Sequence, residues 1–193
     1  MKKAALNVLW SMLLVLVNGT AWGQNTAIIK AVGTWHNLTN YQKHEVPFWN
    51  QHIAQASGGS IIGEIKPQTA LDLKGFEIMR LVKNGVFDFA FGLPGYVAAD
   101  NAIFEGADLS ALSQDLKTLK LVSDAYRPTL DRAFQNIYNA KLMMLSPFPS
   151  QTLWCNTPVT KIADLKGKRI RVYSTTLSDF VEGVGGTSVV VPF

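Results

Sequence analysis

Between Asp164 and Tyr173 the chain reads Asp-Leu-Lys-Gly-Lys-Arg-Ile-Arg-Val-Tyr, and this stretch holds the residues best suited to chemistry. Side chains alternate along a strand, so Arg169, Arg171 and Tyr173 share one face while Ile170 and Val172 share the other. Arg171 then stands near the C-terminal end of its strand, the end at which open α/β sheets bind ligands. A guanidinium offers a planar fork of donors that matches a carboxylate with two parallel hydrogen bonds. The chemistry indicated is recognition of an acid. The pattern alone favours a solvated arginine paired with a surface carboxylate.

Motifs for bond-making chemistry are missing from the sequence. It has no Gly-x-Ser-x-Gly elbow, no His-Glu-x-x-His, no Walker loop and no Cys-x-x-Cys. His36, His44 and His52 are spaced by eight, which does not put two imidazoles on one metal as an i, i+4 pair does. Gly183, Gly185 and Gly186 follow a helical pattern instead of opening one, so they read as a helix stop and not as a phosphate cradle. No catalytic residue, metal site or cofactor is expected.

The elements that must position Arg171 alternate in type. Ala27 to Gly33 reads as a mostly apolar strand, and a helix opening at Pro47 carries Phe48, Trp49, His52, Ile53 and Ala56 up to Ser57-Gly58-Gly59. A strand over Ser60 to Lys66, a turn at Pro67, a helix over Gly75 to Lys83 and a strand over Val86 to Gly92 complete a βαβαβ series. That series predicts an α/β domain with a mainly parallel sheet. Leu116 to Tyr138 reads as helical with a break before Pro128, and Lys141 to Leu145 as a strand. The Pro- and Ser-rich loop Ser146 to Ser150 marks a boundary, after which the pattern restarts. The restart predicts a strand over Thr152 to Asn156, a helical turn near Ile162 to Asp164, a strand over Lys168 to Tyr173, a helix over Leu177 to Val184 and a strand over Ser188 to Val191.

Composition sets the outer limits. The chain has 193 residues, 48% of them apolar, with 18 Lys plus Arg against 14 Asp plus Glu, which excludes a disordered tail or a disulfide-stapled miniprotein. Met1-Lys2-Lys3, the apolar run Val8 to Val17 and the small-residue stretch Asn18 to Gly23 follow the order of a secretory signal peptide. The apolar run is too short for a permanent membrane anchor, since a spanning helix needs about 20 residues. Cleavage after Gly23 would leave 16 basic and 14 acidic residues, scattered and without aromatic interleaving, so nucleic acid is not an expected partner. Cys155, the single cysteine, is either a buried strand thiol or one lacking its partner.

The stretch Ala163 to Val172 resembles the "DLKGkkiRv" signature of TRAP-type transporter solute-binding proteins, and Gly183 to Phe193 resembles the "GG-tpV-mpF" segment that follows it there. Lys74-Gly75-Phe76-Glu77 and Gly85 to Gly92 are similar to the same family's helix and third strand. The resemblance implies a two-lobed, periplasmic-binding-protein-like α/β fold: lobe I over 24–146, nearly complete, and part of lobe II over 147–193, after an export signal at 1–23. It implies a periplasmic protein that captures a small organic acid and hands it to the membrane subunits of an ion-coupled TRAP permease. The family's carboxylate-gripping arginine falls on Arg171. A second basic position falls on Gln151, which offers an amide and no charge, so a dicarboxylate preference does not carry over. Trp35 and His36 after the first strand, Phe91 and Tyr96 around the third, and Tyr173 beside Arg171 are the other candidate ligand contacts. Family members are longer, which implies a truncated or split copy in which a partner for Cys155 would lie in the missing part. The alternatives are a ligand-sensing module without a permease, or a fragment without function.

Overall fold

The computed structural model describes residues 26–193. The export segment expected at 1–23 lies outside the described residues. Two parallel sheets organise the chain. The first has three strands in the order β2-β1-β3, from β1 (Ala27–Gly33), β2 (Ile61–Pro67) and β3 (Phe89–Ala90). Every pairing is parallel, with Ala31 opposite Ile65 on one side and Phe89 on the other. The second sheet pairs β4 (Arg169–Val172) with β5 (Thr187–Val190), Arg171 lying opposite Val189. Helices intervene between parallel strands because a parallel pair needs a crossover.

The β1 to β2 crossover begins earlier than the sequence pattern indicates. Helical turns start at residue 39, and two π turns, Tyr41–Glu45 and Phe48–His52, run into α1 (Ile53–Ala56). Pro47 stands between the π turns in helical conformation, not at a helix start. Proline cannot donate to the ladder, and the wider i to i+5 bonds from Val46 N–H to Tyr41 O and from Ile53 N–H to Phe48 O carry the helix past it. The crossover is seated on the sheet by Trp49, whose ring lies 4.9 Å from that of Phe89.

The main core lies under the longest helix. On α3 (Leu116–Tyr138) the residues Leu130, Ala133, Phe134 and Tyr138 form one face, and they pack on Phe104, Val97 and Ala107 from the 3-10 turns Pro94–Val97 and Ala102–Glu105 and the loop beyond. Phe104 and Leu130 are fully buried. The Asp115 carboxylate accepts from Thr118 N–H at 2.7 Å and caps the helix start. The break expected before Pro128 does not occur. That proline lies on the exposed side, and the buried residues that follow it keep the helix on one course.

Other expectations are corrected. The third strand is two residues long instead of the seven expected, because only Phe89 and Ala90 pair with β1. No strand forms at 141–145 or 152–156; residues 140–160 run without regular structure. Ala140, Leu142 and Leu145 pack against the main core, but other apolar side chains of the segment remain in water, with Trp154 89% and Met143 63% exposed, because no neighbouring strand is available to pair with them among the described residues. Cys155 is exposed and unbridged, not buried in a strand. The last helix, α4 (Thr175–Gly183), starts two residues earlier than expected, and a short α2 (Ile78–Lys83) occupies the later part of the helix expected from Gly75.

The first turn of the irregular segment is tied back to α3. Asp131 forms an ion pair with Lys141 and accepts from Leu142 N–H at 3.0 Å. These contacts, that to Lys141 foremost, hold its carboxyl down to about 2. The folded value lies below the unfolded one, so this stabilisation is present above about pH 4 and is lost as the pH falls through 2. An acid titration of stability is expected to show a flatter decline between pH 4 and 2 in Asp131→Asn than in the parent. Equal slopes would show that the tie does not form.

Candidate functional site

The C-terminal ends of β1, β3 and β4 converge, and each is fixed by a polar device. At the end of β1, the Glu45 carboxylate, 3% exposed, accepts from Thr34 N–H and Thr34 Oγ1, both at 2.8 Å, and from Asn40 Nδ2. Gly33 makes room for it, since a Cβ there would lie 2.5 Å from Glu45 Oε2. This arrangement fixes the chain just before Trp35. Gln68, buried at the end of β2, bridges the strand ends: its N–H reaches Thr34 O at 3.2 Å and its side-chain amide donates to Phe91 O at 3.2 Å.

The two sheets are joined by a second acidic device. Glu105, 3% exposed, accepts from Thr176 N–H at 3.0 and 3.2 Å and from Thr176 Oγ1 at 3.2 Å. A carboxylate thereby sits at the N-terminus of α4, where backbone N–H groups and the helix dipole favour negative charge. Beside it, Tyr173 Oη donates to Asp108 Oδ2 at 3.2 Å and Ser110 Oγ lies 3.3 Å from Thr176 Oγ1. Burial raises the pKa of Asp108, partly countered by the Tyr173 hydrogen bond. Burial, with Asp108 next to it, likewise raises that of Tyr173, which stays a protonated donor.

Between the two sheets lies a cleft of about 440 Å³, within the range of small-ligand sites. Tyr96, Gly95, Phe76, Glu77 and Arg80 line it from the side of the first sheet, and Tyr173, Ser174, Thr175, Ser178 and Val190 from that of the second. Arg80 is paired with Asp100, also in the lining, at 3.0 Å. Arg171 stands next to the cleft with its guanidinium carbon 5.7 Å from the centre of the Tyr173 ring. Its Nε donates to Val191 O at 2.8 Å, and it forms no ion pair with an acid among the described residues.

The expected contacts therefore divide. Tyr96 and Tyr173 meet edge to face at 6.0 Å, and Tyr96 is buried, which raises its pKa. Trp35 is also buried, its ring 4.7 Å from Phe193, whose N–H reaches Tyr96 Oη at 2.9 Å. Arg171, Tyr173, Tyr96 and Trp35 thus belong to one neighbourhood, of which Tyr96 and Tyr173 line the cleft and Arg171 and Trp35 do not. Phe91 packs on Phe89 at 5.3 Å, and exposed His36 bonds Thr69 Oγ1 at 2.9 Å; neither lines the cleft. Gln151 is exposed on the irregular segment and does not line it either. The sequence reading missed Phe76, Glu77, Glu105 and Asp108 as contributors. The one local signal for Glu105 is its place as a lone acid in the apolar run Ala102-Ile103-Phe104-Glu105-Gly106-Ala107.

No protein-family model matches the sequence, and no curated protein does. Solved structures match well. A Bordetella pertussis extracytoplasmic solute receptor binding pyroglutamic acid, DctP7, is similar at a TM-score of 0.77 and 23% identity, over 86% of this chain and 55% of that one. A TRAP periplasmic solute-binding protein from Desulfovibrio salexigens with bound orotic acid matches at 0.74 and 17% identity, over 87% and 54%. Another from Pseudomonas putida F1 with bound D-glucuronate matches at 0.75 and 18% identity, over 86% and 54%. The chain spans about 55% of the length of these proteins. Over that span, it has the α/β fold of the TRAP periplasmic solute-binding proteins.

Proposed function

We propose that this chain is the acid-recognising part of an extracytoplasmic solute receptor, capturing a small organic acid in the cleft between its two sheets and delivering it to a TRAP-type ion-coupled permease. The observation that carries the reading is Arg171, a guanidinium at the end of β4 with no acid paired to it among the described residues, beside a cleft walled by Tyr96 and Tyr173. The similar structures bind pyroglutamate, orotate and D-glucuronate, each a carboxylate, which supports an acid as the ligand. Recognition without covalent chemistry is all that these residues are asked to perform. In this reading the β1–β3 sheet belongs to lobe I and the β4–β5 sheet to lobe II. The exposed apolar residues of 140–160, such as Trp154 and Met143, support completion of lobe II by further polypeptide.

Isothermal calorimetry with pyroglutamate, orotate and D-glucuronate tests the assignment. A hydrogen bond to a charged group contributes about 1.5–3 kcal/mol, so Arg171→Ala is expected to weaken the bound acid roughly 10- to 150-fold while the far-ultraviolet spectrum and melting temperature hold. Undiminished binding by a folded Arg171→Ala chain would remove Arg171 from the site.

A further inference from the structure

We propose that the turn leading into β4 is a docking surface for an anionic lipid membrane, set at the opposite end of that strand from the cleft. The chain's positive charge is concentrated there. Residues 161–169 carry Lys161, Lys166, Lys168 and Arg169 against one acid, Asp164, whereas the rest of the chain from residue 24 on carries 12 basic residues against 13 acidic ones. None of the four cations forms an ion pair among the described residues, and Lys161, Lys166 and Arg169 are exposed. The inference does not depend on what the cleft binds.

Contacts gather these cations on one fixed turn. The Asp164 carboxylate accepts from Thr160 N–H at 2.9 Å, Thr160 Oγ1 at 3.0 Å and Lys161 N–H at 3.1 Å, which folds the 3-10 turn Ile162–Leu165 back on the residues before it. Leu165, 5% exposed, seats the turn. Gly167 takes a φ of 73° to lead the chain into β4, and its N–H donates to Gly185 O at 2.8 Å. Lys168 Nζ reaches Thr157 Oγ1 at 2.7 Å, and the Lys166 stem lies beside Gly185, where a Cβ would be 3.3 Å from Lys166 Cγ. At the adjoining end of α4 the Glu182 carboxylate is engaged by Ser188 Oγ at 2.8 Å. Cations alone would suit an acidic protein as well as a lipid surface. Ile162 favours the lipid: it follows Lys161 on this same turn and is 62% exposed. An aliphatic side chain among lysines matches a membrane interface, where ammonium groups meet phosphates while the isoleucine and the lysine stems enter the acyl boundary. Each lysine held at an anionic surface strengthens binding about fivefold, an effect that salt screens.

Co-sedimentation of the purified full chain at low ionic strength, with vesicles of phosphatidylcholine alone or mixed with phosphatidylglycerol, tests the assignment. The parent is expected to bind the anionic vesicles at least about 30-fold more tightly than the neutral ones, with the preference shrinking as salt is added. Lys161→Gln/Lys166→Gln, a change of two exposed side chains, is expected to weaken binding to the anionic vesicles about 25-fold, and Ile162→Ser about threefold. Lys43→Gln/Lys83→Gln, which alters net charge equally but elsewhere on the surface, is expected to change it by less than about twofold. Parent and variants share the apolar run at 8–17, so its own affinity for lipid cancels from the comparison. Equal binding to the two kinds of vesicle, or equal losses in the two lysine pairs, would overturn the proposal. Retention on immobilised polyglutamate without binding to vesicles would also overturn it, and would assign the turn to an acidic protein.

Discussion

Replacing Phe104 by alanine is expected to destabilise the chain by about 3–5 kcal/mol, the cost of deleting a buried aromatic and leaving a cavity. The ring is fully buried on a short 3-10 turn and touches two others, that of Phe134 at 4.8 Å and that of Tyr138 at 5.5 Å. Both partners belong to α3, so the substitution strikes the contact that fastens the longest helix to the body of the chain. The turn around Phe104 cannot collapse into the gap easily. Asn101 Oδ1 accepts from Ile103 N–H at 3.0 Å, and Tyr126 Oη donates to Ile103 O at 3.1 Å, which pins the backbone immediately before the ring. At about 2–4 °C per kcal/mol for a chain of this size, the melting temperature should fall by roughly 6–20 °C. Phe104→Leu keeps most of the apolar contact and should lose much less. Circular dichroism melts of the three proteins test this; a loss below about 1 kcal/mol for alanine would mean that α3 is not held by this cluster.

Glu105, the next residue, shows why some of this structure was legible in the sequence and some was not. β1 and α3 take the bounds that their apolar patterns indicate, Ala27–Gly33 and Leu116–Tyr138, and β4 lies within one residue of its expected span. These elements bury a continuous face, and such a face is written into the order of residues. Segments 141–145 and 152–156 carry short apolar runs of strand length and remain irregular, because a strand exists only with a partner and an apolar run does not supply one. Pro47 obeys a local rule for helix starts, yet packing of Trp49 on the sheet extends the helix on both sides of it. The site divides in the same way. Arg171 and Tyr173 were placed on one face by the period of a strand, whereas the positions of Glu45 and Glu105 depend on which backbone donors a distant segment presents. An acid destined for burial looks in sequence like an acid destined for water.

That dependence gives Glu105 the second large effect. Glu105→Ala removes the acceptor from Thr176 N–H and Thr176 Oγ1 and leaves a half-buried backbone donor at the α4 N-terminus without a protein partner. An unsatisfied group costs about 1–3 kcal/mol when fully buried and less when water can reach it, as at half-buried Thr176, and losing a charge from the positive end of a helix adds about 0.3–1 kcal/mol. The loss falls on the junction between the two sheets and not on the α3 core. The melting temperature should therefore drop less than in Phe104→Ala, while limited proteolysis within 140–160, the segment that links the two sheets, should accelerate about tenfold. Glu105→Gln keeps one oxygen for Thr176 N–H and should lie between the parent and alanine. If binding depends on how the two sheets face one another, pyroglutamate affinity should fall with the same rank order, although the Glu105 carboxylate does not line the cleft. Proteolysis and affinity both unchanged in a folded Glu105→Ala chain would show that the Tyr173–Asp108 and Ser110–Thr176 contacts hold the junction without it.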